Sequence, residues 1–274
     1  MKSSTIVAVL IVAGQVAFAQ DLPNPEKTHQ KGKLYAYWGW NRGWYSNSDI
    51  SFRGADYDFA LSKVVAKDRQ TPFSINDYLN PALITIPQYN FRIGYFLHDH
   101  YNISFGVDHM KYVVQTGQTA EISGHISGSG TIYDGNYEKE PVVIEEGFLL
   151  FEHTDGLNYL NAEFRRFDNI LDFNKVKINL TEGLGAGALM PKTNATLLNN
   201  VRHDEFHLAG WGMGAVVAVN ISFFEVFFIQ SELKGGFISM PDIRTTANEI
   251  DRASQNFFFS QLNIVFGAAI NLAN

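Results

Sequence analysis

Residues 258–272 read FFSQLNIVFGAAINL. Phe258, Leu262, Ile264, Phe266, Ala268, Ile270 and Leu272 share one side of a period-two pattern, and Gln261, Asn263, Gly267 and Asn271 share the other. Successive side chains of an extended chain point to opposite faces. The alternation outlasts the soluble-sheet norm of roughly 5–6 residues. It suits a tilted strand that crosses a bilayer in about 9–11 residues, apolar face to lipid and polar face to a lumen.

The same pattern recurs upstream. In 88–98, Phe91, Ile93, Tyr95 and Leu97 oppose Arg92, Gly94, Phe96 and His98. In 101–114, Tyr101, Ile103, Phe105 and Val107 oppose Asn102, Ser104, Gly106 and Asp108. Segments 157–167 and 204–220 alternate likewise, and 33–45, 175–190 and 223–237 complete a set of eight strands. The connections then alternate in length. Residues 99–100, 169–174 and 221–222 are short; 44–87, 115–156, 191–203 and 239–254 are long. Short periplasmic turns and long extracellular loops are the habit of outer-membrane barrels. This assignment gives an even strand count with both ends of the barrel on the periplasmic side. A further alternating stretch, 51–61, would break that parity, so it reads as a hairpin arm inside the first long loop, extending the barrel above the membrane.

Composition agrees. Aromatic residues make up 14% and charged residues only 18%, yet no run of about 18 apolar residues is present to form a membrane helix. There is no cysteine, which excludes disulfides, a lipidated N-terminal Cys, thiolate metal sites and Cys nucleophiles. A net charge of −7 gives no basic footprint, so nucleic acid is not an expected partner. At the N-terminus, Lys2, the apolar run 6–12 and Ala17-Phe18-Ala19 have the form of a secretory signal cleaved after Ala19. The expected organisation is a signal peptide at 1–19, a periplasmic segment at 20–32 and a barrel at 33–274.

The eight alternating segments and the order of their connections resemble the small eight-stranded outer-membrane β-barrel proteins, the OmpA/OmpW-like superfamily. The resemblance covers about 33–274 and rests on architecture. Members usually close on an aromatic residue, whereas the last aromatic here is Phe266. The resemblance implies an all-β, up-and-down transmembrane barrel in a Gram-negative outer membrane. It also implies contact with outer-membrane lipids, lipopolysaccharide and the barrel insertion machinery.

An eight-stranded interior is filled by side chains or holds one small ligand. A wide pore is therefore not expected. The inward positions include Arg92, Asp108, Glu163, Arg165, Lys177, Glu232 and Lys234. Four basic and three acidic groups in a narrow space predict a salt-bridged network. Gly183, Gly185, Gly187, Gly210, Gly212 and Gly214 face the same space, where they either make room for bulky neighbours or leave a cavity. Glu182 falls on the lipid face by strict alternation, and a β-bulge near Thr181 is expected to turn it inward.

No arrangement points to catalysis, a cofactor or a metal. The cluster His98-Asp99-His100 lies at a turn, where polar residues are expected. His203 and His207 stand about 13 Å apart on a strand, too far to share an ion. Asp108 and His109 face opposite ways. Trp38, Trp40, Trp44 and Trp211 suit aromatic girdles. His109 and Lys111 lie where they would meet lipopolysaccharide phosphates. Ser74 is placed to cap a short helix after Pro72, and 123–130 is a glycine-rich loop. The function expected is a structural role, or binding through the loops to an envelope protein. The alternatives are a carrier of small apolar molecules and, by resemblance alone, a lipid A-modifying enzyme.

Overall fold

A computed structural model describes residues 29–83 and 87–272. The signal peptide expected at 1–19, and most of the segment at 20–32, lie outside the described residues. Among those described, eight long strands close an antiparallel ring. They are β1 (Lys33–Tyr45), β5 (Tyr89–His98), β6 (Tyr101–Val114), β9 (Leu149–Asp172), β10 (Val176–Leu189), β12 (Gly210–Phe223), β13 (Phe227–Arg244) and β14 (Arg252–Asn271). The ring closes between β1 and β14, with Lys33 opposite Asn271 and Tyr45 opposite Phe259. Closure leaves no unpaired edge in the bilayer, where an unpaired backbone group would cost several kcal/mol.

The outer wall carries the apolar residues that the alternation placed there. Phe91, Ile93, Phe105, Phe164, Met213, Leu233, Phe258 and Phe266 are all exposed. A closed antiparallel ring with such a wall defines the chain as a transmembrane β-barrel of the small eight-stranded outer-membrane class.

The short turns and both ends of the barrel gather at one rim. Asp99, in the β5–β6 turn, accepts hydrogen bonds from Gln30 N and Lys31 N, both at 3.0 Å. These amides, that of Lys31 foremost, hold its carboxyl below the ordinary value. The acidic member of the His98-Asp99-His100 cluster thus pins the entering chain at the periplasmic rim. The β12–β13 turn lies at 224–226, not at 221–222. Phe224 and Glu225 take left-handed backbone conformations, and Phe224 N donates to Lys175 O in the neighbouring turn. The ladder continues to the pair Phe223–Phe227, which carries β12 past Ile221 and Ser222. At its other end β12 starts at Gly210 rather than near Asp204.

Above the membrane the loops become wall. β2 (Ser48–Arg53) pairs with the top of β14, and β3 (Tyr57–Val64) pairs with β2 and with β7 (Thr119–Ile126). β8 (Gly135–Val143) adds the last strand. The 51–61 stretch, expected as one hairpin arm within the first loop, is the tip of a hairpin there, with Ser51–Arg53 of β2 paired to Asp58–Ala60 of β3. Two short strands brace the base: β4 (Ala66–Lys67) on β6 and β11 (Asn194–Leu197) on β9. β9, β13 and β14 run well beyond the bilayer to meet this extension, so 149–156 is strand rather than loop. The open edge at β8 carries Glu138, Lys139, Glu140 and Pro141, with Lys139 at a positive φ. Charge, proline and an irregular backbone discourage edge-to-edge pairing.

Glu182 corrects an expectation. It faces outward and is exposed, and Thr181 beside it is the buried neighbour. The register shift lies instead between Ile178 and Asn179, where Ile170 of β9 is the extra residue. No inversion of β10 is needed, because Glu182 lies opposite Arg166, and Arg166 opposite Tyr101, the first residue after a periplasmic turn. The neighbouring guanidinium of Arg166, itself held by Asp168 at 2.6 Å, is the cation across the ladder from this outward carboxylate. Glu182→Leu should therefore leave the unfolding free energy unchanged or raise it by up to about 2 kcal/mol, because a carboxylate on the lipid face of a barrel is unfavourable. Denaturant titration of the refolded barrel measures it.

Candidate functional site

The lumen has three layers. In the middle, six of the seven charged residues expected inside meet in one cluster: Arg92, Asp108, Glu163, Arg165, Glu232 and Lys234. None has a side chain more than 3% exposed. Glu163 is the hub. One of its oxygens lies 3.0 Å from Arg92 Nη2 and 2.5 Å from Lys234 Nζ, and the other lies 2.5 Å from Arg165 Nη2. Arg165 Nη1 reaches Glu232 at 2.6 Å, and Lys234 also contacts Asp108. Three cations face three carboxylates, so the cluster carries no net charge.

Neutral groups complete it. Tyr37 Oη accepts from Arg92 Nε and Arg165 Nη2, both at 3.1 Å, and donates to Glu232. Asn161 donates to Asp108 and accepts from Arg92 at 2.6 Å. Asn263 and Gln230 donate to Glu232 at 2.8 and 2.6 Å. Burying charges is favourable only with such pairing and hydrogen bonding.

The glycines make this possible. Gly183 lies opposite Arg165, Gly185 opposite Glu163 and Gly187 opposite Asn161. A Cβ at Gly183 would meet Arg165 Cγ at 2.7 Å, and one at Gly185 would meet Glu163 Cγ at 2.5 Å. The alternation GLGAGAL on β10 thus supplies the space its neighbour's long side chains occupy, and the glycines leave no cavity there.

Lys177 does not join the cluster. It sits at the periplasmic rim, 2.8 Å from Glu225 and 3.3 Å from Asp172. It faces inward as the alternation requires, but it is the second residue of its strand, too near the turn to reach the middle of the lumen.

Above the charged layer lies a largely apolar plug that the strand pattern did not reveal. Met110, Tyr112, Leu157, Leu189, Ile238 and Phe257 from the ring pack with Ile50, Phe52, Phe59, Leu61 and Ile122 from the loop hairpins. The hairpins close over the top of the barrel, so their inward residues join the core of the ring. Alternation within 51–61 could have signalled it, since one face of that hairpin is apolar. Below the charged layer, Tyr35, Tyr37, Phe96 and Phe228 narrow the periplasmic mouth to about 50 Å³ of water space.

Two further histidines are held separately. His109 faces outward, stacked on Tyr89 and bonded to Asn158. His207 pairs with Asp242 at 2.9 Å. Among the described residues, no three His, Asp or Glu side chains group as a metal site.

No protein-family model matches the chain, and no curated protein matches it in sequence. Solved structures do. The outer-membrane protein AlkL, determined in lipid bilayers, is similar over 93% of this chain and 98% of its own, at 10% identity and a TM-score of 0.40. OprG of Pseudomonas aeruginosa is similar over 89% and 99%, at 9% identity and a TM-score of 0.38. The attachment invasion locus protein Ail of Yersinia pestis follows at 8% identity and a TM-score of 0.28, over 86% of this chain and 99% of its own.

Proposed function

We propose that this barrel is a closed scaffold of the outer membrane, acting through its extracellular extension in a structural or binding role, and not as a diffusion pore. The observation that carries this reading is the double seal of the lumen. A permeant would have to break the network around Glu163 and then part an apolar plug whose members Met110, Tyr112, Phe52 and Phe257 are no more than 2% exposed. The loops above are paired strands, which hold a surface in fixed geometry better than free loops. The protein reconstituted in planar bilayers should show no stable channel. Porin-sized conductance steps would overturn the reading.

A carrier of small apolar molecules is the second reading, favoured by one feature of the wall. β5 starts at Tyr89, while β1 and β6 run on above it. The gap between them is spanned by side chains: Tyr45 Oη donates to Lys111 O, and Asn41 Nδ2 to His109 O. Asp68 lies beside them, accepting from Gly43 N, Gln70 and Gln88. A lateral exit would open there first. Uptake of a radiolabelled alkane by cells with and without the protein distinguishes the readings, equal rates supporting the closed scaffold.

A further inference from the structure

The long segment between β4 and β5 contains a short α-helix, α1 (Ile75–Leu79). Its sequence builds it locally. Ser74 caps the helix, its Oγ accepting from Asp77 N at 3.0 Å and donating to the Asp77 carboxylate at 2.8 Å. Phe73, just before the cap, packs its ring 5.2 Å from that of Tyr78, an apolar staple across the first turn. Tyr78 Oη donates to Thr71 O at 2.8 Å. The turn is therefore a preformed unit.

Its apolar side is exposed. Phe73 is 76% exposed, Ile75 71% and Leu79 63%. Ile75 and Leu79, four residues apart, share one helix face. Three large apolar side chains on one loop face form a patch that water disfavours.

The position of the unit says what covers it. Tyr78 packs on Trp40 at 5.5 Å between ring centroids, and Trp40 packs on Trp38 and Phe266 at 5.1 and 5.6 Å. These residues belong to the outer wall of the ring. Two residues above Trp40 on the same face is Arg42, exposed and lying against Trp44. The change from indole to guanidinium marks the level where acyl chains give way to headgroups. The helix thus lies against the wall at that level, its apolar patch continuous with the lipid-facing surface.

We propose that α1 is an interfacial foot: Phe73, Ile75 and Leu79 insert among the acyl chains of the outer leaflet and tie the first extracellular loop to the lipid surface. Asn76 and Asp77 face the polar side, as in amphipathic segments lying in the membrane plane. The foot fixes the loop that closes the wall between β1 and β6.

The absence of cysteine makes a clean test possible. Single-cysteine variants Ile75→Cys and Leu79→Cys, labelled with an environment-sensitive fluorophore, are refolded into phosphatidylcholine vesicles whose acyl chains carry bromine. Phe105→Cys, on the lipid face of β6, is the reference for lipid, and Ile132→Cys, 88% exposed in the β7–β8 connection, is the reference for water. Folding of each is checked by its heat-dependent gel mobility. The foot predicts emission at 75 and 79 that is blue-shifted and quenched by bromine to the extent seen at 105, with 132 unaffected. Labels at 75 and 79 that behave like 132 overturn the proposal. So does energy transfer between labelled copies that rises with protein-to-lipid ratio while bromine has no effect, since the face would then be covered by a second copy.

Discussion

Glu163→Ala should lower the stability of the folded barrel by about 3–5 kcal/mol, the cost of breaking a buried ion pair from one side. The geometry argues for the upper end. Glu163 is shared by Arg92, Arg165 and Lys234, so its removal leaves three cations in one buried layer against Asp108 and Glu232. Arg165 retains Glu232 and Lys234 retains Asp108. Arg92 is left with Asp108 at 4.0 Å and with neutral partners. The readout is the temperature at which the compact form disappears on a gel, or the denaturant midpoint in lipid. Glu163→Ala with Arg165→Ala should cost less than the sum of the single losses, because the second change removes a cation stranded by the first. The same cycle with Arg92→Ala should give the larger coupling, since Arg92 has no second carboxylate within 3.5 Å. Wild-type melting by all these variants would mean that the layer is solvated and the lumen wider than its packing indicates.

The strand pattern was most legible where one face meets lipid and the other a filled lumen, because those environments demand opposite chemistry. That constraint places all eight ring strands, and it places Arg92, Asp108, Glu163, Arg165, Glu232 and Lys234 inside. It fails where a position is governed by height along the strand instead. Lys177 and Glu182 both have the facing that alternation gives them. What decides their roles is where along the strand they fall: Lys177, beside the turn, finds Asp172 and Glu225, and Glu182, five residues further up, lies opposite Arg166. Height depends on register and shear, which are set between strands and leave little trace within one. The same holds for the turn at 224–226, fixed by a bond from Phe224 to the neighbouring turn. The apolar plug was hidden for a related reason. Its residues come from segments about 90 to 200 residues apart in sequence, Phe52 and Phe59 of a loop hairpin on one side and Phe151 and Phe257 of the ring strands on the other.

The plug contains one group that makes its stability depend on pH. His153, on the part of β9 above the membrane, is fully buried between Tyr112 and Phe151. Gln255 Nε2 lies 3.0 Å from its Nε2, and an amide nitrogen can only donate. Nε2 must then accept, leaving the proton on Nδ1, which donates to Thr193 Oγ1 at 2.9 Å. A second proton would put charge in an apolar core where Thr193, Gln255, Tyr112 and Phe151 surround the ring and offer no carboxylate, and burial pushes the imidazole down to about 3. The sign follows from proton counts. Below the ordinary histidine value of 6.5 the unfolded chain binds a proton that the fold refuses, so stability is complete above pH 6.5 and falls as pH drops toward 3. The slope is about 1.4 kcal/mol per pH unit, so about 2 kcal/mol should be lost between pH 6.5 and 5. Carboxylates ordinarily titrate lower, which keeps this window to histidines. His153→Gln removes the titration and leaves the other seven histidines in place. The difference in denaturant midpoint between wild type and variant should therefore shrink or reverse on moving from pH 7.5 to pH 5. A difference that stays constant over that range would show that the protonated ring is tolerated, and that the plug admits water to His153.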